Sequence, residues 1–103
     1  MNDLERRRHG RYACTSAVEI EWGSEILQAL IRDISQSGMF VVTNNPLWMR
    51  AEFSARILNS EPVQVICLVK RIEPGRGMGV EFIEVPEDSR KPLEDFLWKL
   101  ARG

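Results

Sequence analysis

The chain has 103 residues and a mass of 11.9 kDa, the usual size of a single domain with one hydrophobic core. Hydrophobic residues make up 44% of it and charged residues 28%, a composition that excludes disordered, collagen-like and coiled-coil proteins. Lys and Arg total 14 against 15 for Asp and Glu, a formal net charge of −1 at pH 7. A general nucleic-acid-binding protein carries an excess of basic residues, so any anion site in this chain must be local.

The sequence has no segment that predicts membrane insertion or export. Its longest nearly apolar stretch, residues 63–69, is interrupted by Gln64 and is far shorter than the roughly 20 residues that cross a bilayer. No apolar run of signal-peptide length follows the arginines at 6–8, so we expect a cytoplasmic protein. Cys14 and Cys67 are far apart and lack a CxxC spacing, and we interpret them as reduced, buried thiols.

Charge is unevenly distributed along the chain. Residues 1–12 contain four arginines and two acidic residues, a balance of +2, whereas residues 81–95 contain six acidic and two basic residues, a balance of −4. The sequence shows no internal repeat and no low-complexity segment. We therefore expect residues 1–12 to form a flexible basic N-terminal arm and residues 13–103 to form one folded domain.

The middle of the chain has the two-residue periodicity of β-strands. Apolar and charged residues alternate in residues 17–22, as in a strand with one buried and one solvent-facing side. Turn signals and β-prone runs predict five more strands, at 25–31, 39–43, 52–58, 63–72 and 78–85. The alternation in 25–31 is weaker, and its period alone also allows a short helix. Six short strands joined by tight turns predict an antiparallel β-barrel, a sheet without open edges.

After Pro86 the periodicity changes to that of an α-helix. Four apolar residues with the spacing i, i+3, i+4 and i+7 form one stripe of this helix: Leu93, Phe96, Leu97 and Leu100. We expect Asp88 or Ser89 to cap its start and the stripe to cover one end of the barrel. The predicted fold is therefore mostly β, a six-stranded antiparallel barrel with a C-terminal helix.

Most large apolar residues fall in the buried phase of their predicted elements, and we assign six of them to the core: Trp22, Phe40, Phe53, Phe82, Leu93 and Phe96. Trp48 and Met49 lie near a turn, where an exposed apolar patch would serve a partner. Trp98 lies off the helix stripe. Its position fits packing against a strand edge, contact with another subunit, or exposure to solvent.

The usual chemistry of catalytic sites is sparse in this sequence. The one histidine, His9, lies in the charged arm without the spacing of a metal site. No nucleophile motif surrounds Ser35 or either cysteine, and the phosphate-binding patterns GxxxxGK[ST] and GxGxxG do not occur. The sequence therefore predicts a protein that is not an enzyme and holds no metal ion or cofactor.

The arginine-rich arm is the first candidate binding element. Arg7 and Arg11 are four residues apart, Arg8 lies between them, and Arg6 precedes them. Guanidinium groups bind phosphate oxygens in pairs, dock on the O6 and N7 edge of guanine and stack on bases. Several of them on one arm could surround a phosphorylated guanine ligand, although the arm alone is also compatible with a solvated basic tail.

The second candidate is the predicted polar loop at residues 33–38, which reads DISQSG. The Asp33 carboxylate can accept hydrogen bonds from the N1 and N2 groups of guanine, and the Ser35 hydroxyl can donate or accept. Gly38 permits a positive φ and the close approach of a backbone or a ligand. Taken alone, this segment is also compatible with an ordinary turn.

Together, the two motifs resemble those of the PilZ domain family. RRHGR at 7–11 gives the pattern RxxxR just before the first strand, and DISQSG gives DxSxxG between the second and third strands. GMGVEF at 77–82 resembles a late strand of the family, and the resemblance extends from about Glu5 to the C-terminal helix.

The resemblance implies a six-stranded barrel that binds the bacterial second messenger cyclic di-GMP on its outer surface. It assigns the arm's contacts with phosphates and guanines to Arg7 and Arg11, with Arg6 as a helper. The guanine contacts of the barrel surface fall on three residues: Asp33, Ser35 and Gly38. In this family the residue before RxxxR influences how many ligand molecules bind. Here that residue is Arg6, which leaves open whether one or two molecules bind per chain.

The resulting prediction is a receptor or adaptor module that orders its arginine arm around cyclic di-GMP and signals through contacts with a protein partner. The alternative is a PilZ-like protein-interaction adaptor that binds no nucleotide. A third reading, a barrel that binds single-stranded nucleic acid, requires a basic groove with exposed aromatic residues. The net charge and the buried phase of most aromatics argue against it, so we expect no nucleic-acid polymer as a partner.

Overall fold

The computed structural model describes residues 10–103. They form seven strands and one helix, with these bounds: β1 (Tyr12–Ala13), β2 (Ala17–Trp22), β3 (Glu25–Ile34), β4 (Gly38–Val42), β5 (Glu52–Ile57), β6 (Val63–Glu73), β7 (Gly77–Glu84) and α1 (Glu87–Arg102). The six predicted strands and the helix are all present. The segment 25–31, for which a helix was the alternative, belongs to β3.

Six of the strands close into the predicted antiparallel barrel. The strand order is β3-β2-β5-β6-β7-β4, and β4 pairs back onto β3 to complete the ring. The additional strand, β1, pairs with the end of β3 through Tyr12↔Ile34 and Ala13↔Asp33. A strand of two residues is too short to produce a periodic pattern, so the sequence did not predict it. Its pairing places Arg11, the residue just before it, close to the end of β3.

Alternating residues of the strands fill the barrel interior. In β2, for example, Val18 and Ile20 are buried and the residues between them are more exposed. Cys14 and Cys67 are both free and buried, as predicted. Burial raises the pKa of the Cys67 thiol, since a low-dielectric interior disfavours the thiolate.

Helix α1 packs its predicted stripe on the barrel. Leu93 and Phe96 belong to the core, and Leu97 and Leu100 pack partly buried against it. The predicted side-chain cap is wrong: Pro86 precedes the helix and no side chain caps it. Ser89 instead is 4% exposed and accepts a hydrogen bond of 2.8 Å from the Gln64 backbone N–H at the start of β6. No helix within residues 10–103 is both long and apolar enough to cross a membrane.

Two predictions about the strands need correction. Asp33 lies in β3 rather than in a loop, because that strand continues to Ile34 and only residues 35–37 connect it to β4. Trp22 has the inward phase of β2, but it is 39% exposed because it lies at the last position of the strand.

Candidate functional site

A β-bulge shapes the outer surface where β3 meets β4. The pairs Ile31↔Val41 and Asp33↔Phe40 follow each other in the ladder, so Arg32 is an extra residue without a partner in β4. In a regular strand, successive side chains point to opposite faces, but the bulge brings Arg32 and Asp33 to the same one. Arg32 Nε donates to Asp33 Oδ2 at 2.9 Å.

Asp33 is the centre of this arrangement. Its second oxygen, Oδ1, accepts a hydrogen bond of 2.8 Å from Arg11 Nε, so both carboxylate oxygens accept from guanidinium groups. Partial burial acts to raise the pKa of Asp33, but the hydrogen bonds from Arg32 and Arg11 outweigh it and lower that pKa. The hydrogen bond with Asp33 in turn raises the pKa of Arg32. Asp33 and Arg32 are therefore both charged at neutral pH.

The lowered pKa of Asp33 predicts an acid-dependent contribution to stability. A carboxylate with a pKa below its ordinary value of 3.8 stabilises the folded protein above that value, and the contribution disappears as the pH falls through the folded-state pKa. We expect the difference in unfolding free energy between the parent chain and Asp33→Asn to be constant from about pH 7 to pH 5 and to shrink towards pH 3. Urea titrations at these pH values measure it.

Glu61→Gln is a matched control for that experiment, because Glu61 is exposed and forms no ion pair with residues 10–103. It removes the same charge without touching a guanidinium group. A difference for Asp33→Asn that does not change between neutral pH and about pH 3 would show that the ion pairs do not stabilise the fold.

The segment 35–37 is held tightly against the barrel. Ser35 is 3% exposed, and its backbone N–H donates to the Gly38 carbonyl at 2.8 Å. The Ser35 Oγ accepts from the Ser37 N–H at 3.2 Å and from Arg11 Nη1 at 3.4 Å. The Phe82 N–H donates to the Ser37 carbonyl at 2.8 Å, which ties the segment to β7. Arg11, Asp33 and Ser35 therefore form one connected cluster.

Of the two properties expected of Gly38, a positive φ and a close approach, the structure shows the second. It is not among the residues with positive φ, so the turn does not need its conformational freedom. A Cβ at this position would collide with the carbonyl oxygen of Val80, and the absence of a side chain allows β4 to lie close to β7. The predicted close approach is therefore real, and the atoms that approach belong to the backbone.

Phe40 forms the floor of the surface beside Asp33. We assigned it to the core, and it is fully buried, but it lies on the outer face of β4 and outside the interior cluster. Its ring is covered by arginines: the Arg32 Cζ lies 3.7 Å from the ring centroid and the Arg71 Cζ 5.8 Å from it. Guanidinium groups stack favourably on aromatic faces. The ring has room because Gly77 of β7 carries no side chain: a Cβ there would lie 3.1 Å from the ring.

Arg71 and Glu73 extend the cluster onto β6. Glu73 lies 3.6 Å from Arg32 Nη1 and 3.1 Å from Arg71 Nη2. The result is a row of alternating charges in the order Arg11, Asp33, Arg32, Glu73 and Arg71, which we call the outer charge row. Its three arginine side chains are 44–59% exposed. The row thus offers three planar cationic groups to a phosphate or a base.

The sequence predictions for this site divide into three groups. The structure brings Arg11, Asp33 and Ser35 together, and Gly38 lies beside them. Arg6 and Arg7 lie outside the described residues, and their ligand contacts stay predictions. Arg32, Phe40, Arg71 and Glu73 were missed as site residues; a positive charge next to Asp33 was visible in the sequence, but the bulge that aligns the two side chains was not.

A groove of about 820 Å³ lies between the segment 35–37 and α1. Tyr12 and Gln36 line its barrel side, and Leu97, Trp98 and Arg102 line its helix side. Trp98, whose environment the sequence left open, is 61% exposed, and the Arg102 Cζ lies 5.8 Å from the centre of its ring.

The barrel and the outer charge row define a small binding domain with a cationic site on its outside. The sequence model of the PilZ domain matches residues 5–98, and the chain therefore belongs to the PilZ domain family, a family of cyclic di-GMP receptors. The fold resembles that of the inhibitor of motility MotI/DgrA from Bacillus subtilis, with a TM-score of 0.73 and 25% sequence identity over 94% of this chain. The chain spans 50% of that protein. No curated protein sequence matches it.

Proposed function

We propose that the chain is a cyclic di-GMP receptor module that orders its N-terminal arginine arm around the ligand and signals through contacts with a protein partner. The observation that carries this proposal is the cluster of Arg11, Asp33 and Ser35 on the outside of a PilZ barrel, with Arg11 donating to both other residues. The cluster has the donors and acceptors that a phosphorylated guanine requires, and it acts by binding rather than catalysis.

The Arg11–Asp33 pair supports a guanine site at Asp33. The N1 and N2 groups of guanine present two neighbouring N–H donors, as a guanidinium group does, and the Asp33 carboxylate accepts such donors now from Arg11 and Arg32. In the proposed complex, the guanine edge replaces Arg11 at Asp33. Arg11 then moves to a phosphate, so that each ionised group keeps a partner of opposite charge.

The arm supplies the remaining positive charge. Arg6 and Arg7 precede Arg11 by a few residues, and four arginines within residues 1–12 repel one another until phosphates neutralise them. Binding is thus coupled to ordering of the arm. Backbone order parameters of residues 5–12, measured by NMR, should rise with saturating ligand, and equal values in both states would contradict the coupling.

Isothermal titration calorimetry with cyclic di-GMP tests the proposed function directly. We expect binding in the micromolar range, about −8 kcal/mol, and loss of the signal in the double variant Arg7→Ala, Arg11→Ala. GTP is the control for nonspecific binding of guanine phosphates. The titration ratio shows whether one or two ligand molecules bind per chain.

Absence of heat from a folded chain at high ligand concentration would favour the alternative function, an adaptor of the PilZ fold that binds proteins and no nucleotide. In either case we propose that the output passes through another protein or through self-association. Because cyclic di-GMP is a bacterial second messenger, the proposed function also places the chain in the bacterial cytoplasm.

A further inference from the structure

The end of the barrel far from α1 exposes a group of large apolar side chains. Trp22 and Leu27 come from the β2–β3 hairpin, and Trp48 and Met49 come from the segment between β4 and β5. These four side chains are 39%, 41%, 56% and 51% exposed, respectively. The two indole rings contact each other edge to face, with centroids 4.8 Å apart and an interplanar angle of 87°. We call these four residues the Trp22–Trp48 surface.

This surface is built on well-defined backbone. Trp22 is the last residue of β2 and pairs with Glu25, the first residue of β3, across a two-residue turn. The segment of Trp48 is fixed to β6, because the Arg50 N–H donates to the Val69 carbonyl and the Val69 N–H donates to the Ala51 carbonyl, both at 2.9 Å. Rigid aromatic side chains lose little entropy on binding and dominate many protein interfaces. Contiguous exposed apolar groups of this kind mark interaction sites.

The charge beside the surface indicates the chemistry of its partner. Glu21 precedes Trp22 in β2, Glu25 pairs with it from β3, and Glu52 lines the same hollow. None of these three glutamates forms an ion pair with residues 10–103. A shallow hollow of about 330 Å³ is lined by Trp22 together with Glu21 and Glu52. The hollow therefore has two free carboxylates at its lining, which suits a Lys or Arg side chain whose stem packs on apolar atoms while its charge meets the acids.

The groove beside Trp98 suits a basic partner less well, because its charges are mixed. There the acidic residues Glu94 and Asp95 are accompanied by Arg90 and Arg102, and Asp95 already faces Lys91 at 3.8 Å. At the other end of the barrel, Arg50 directly follows Met49 in the connection between β4 and β5, and Arg76 lies in the connection between β6 and β7. The three glutamates near Trp22 outnumber these two arginines.

We propose that the Trp22–Trp48 surface docks a basic segment of a partner protein in which apolar side chains alternate with Lys or Arg. The apolar side chains cover the two indole rings, and a basic side chain occupies the hollow between Glu21 and Glu52. This proposal is independent of cyclic di-GMP binding, because the surface shares no residue with the outer charge row.

The three tryptophans allow a direct test with the full chain. The probe is a synthetic peptide in which Leu and Lys alternate, and the control peptide has Glu in place of Lys. In ¹⁵N-¹H spectra, we expect the basic peptide to shift the indole N–H signals of Trp22 and Trp48 and to leave that of Trp98 in place. Shifts at Trp98 alone, no shifts at all, or equal binding of the acidic peptide would overturn the proposal.

Variants separate the apolar and the charged parts of the proposal. Trp48→Ala should weaken the basic peptide at least about tenfold, since exposed interface tryptophans are frequent hot spots, whereas Trp98→Ala should leave its affinity unchanged. The triple variant Glu21→Gln, Glu25→Gln, Glu52→Gln should also weaken it about tenfold. A second triple variant removes the same charge elsewhere: Glu84→Gln, Glu87→Gln, Glu94→Gln. If the two triple variants lose the same affinity for the basic peptide, the net charge of the chain explains the loss, and the assigned site is wrong.

Self-association is the remaining outcome to distinguish. If Trp22 and Trp48 signals shift with protein concentration in the absence of peptide, the surface is an interface between copies of this chain, and the proposal is wrong. Independence of the spectra from concentration supports it.

Discussion

Asp33→Asn is expected to weaken cyclic di-GMP binding by about 100-fold. In the proposed complex, the carboxylate accepts two N–H groups from a guanine edge, and an amide offers only one oxygen and places an N–H₂ group against the second donor. Charge-assisted hydrogen bonds contribute roughly twice as much as neutral ones, and losing one while leaving a donor unpaired costs about 3 kcal/mol. A tenfold change in affinity corresponds to about 1.4 kcal/mol. Titration calorimetry on both proteins measures the ratio.

Glu73→Gln is the matched control for this variant. Glu73 belongs to the same outer charge row, pairs with Arg32 and Arg71, and loses the same charge on substitution. It is not part of the DxSxxG motif, so we expect its effect on affinity to be smaller than about threefold, as for other partly exposed ion pairs. If the two variants lose affinity equally, the ligand responds to the field of the whole row and Asp33 is not a specific guanine acceptor.

The regular parts of the barrel could be predicted because their sequence patterns are local. Residues 17–22 alternate cleanly, and β2 has these bounds in the structure. The apolar stripe of the helix could be predicted for the same reason, since Leu93 and Phe96 follow the helical period and lie in the core. Closure of the sheet followed from the number and length of the strands rather than from any one residue.

The irregular parts depend on pairings between distant segments. A strict alternation puts Arg32 and Asp33 on opposite faces, and only the register of β3 against β4 shows that both face outwards. The position of Phe40 was predicted wrongly for a related reason. Apolar and fully buried, it has the character of a core residue, but arginines from two other strands bury it on the outside of the barrel. No periodicity within β4 carries that information.

Candidate site residues were predictable to the extent that short motifs specify them. Asp33 and Ser35 were found from DxSxxG, and Arg11 from RxxxR. Arg71 and Glu73 come from β6, far along the chain, and join the row only because β6 pairs with β7 next to β4. Their charges look like those of any solvent-facing strand position until the barrel brings them beside Phe40.

Gly77 of β7 makes room for this surface, and Gly77→Ala is expected to destabilise the fold by at least about 3 kcal/mol. Gly77 has φ +154°, and a Cβ there would collide with the Val41 carbonyl oxygen and lie 3.1 Å from the Phe40 ring. Both the backbone conformation and the space are therefore unsuitable for a side chain. Urea denaturation monitored by circular dichroism measures the loss.

Gly75→Ala is the matched control, a glycine with positive φ and no collision. Gly75 also has a positive φ, +77°, but nothing lies within 4 Å of a Cβ at that position, so only the conformational cost of about 1 kcal/mol remains. The difference between the variants measures the collision with β4 and Phe40 together with the greater backbone strain at φ +154°. Because the ring of Phe40 supports the guanidinium group of Arg32, Gly77→Ala should also weaken cyclic di-GMP binding, whereas Gly75→Ala should not. Equal destabilisation by the two substitutions would mean that β4 and the ring give way freely, and that Phe40 is not a rigid floor for the arginines above it.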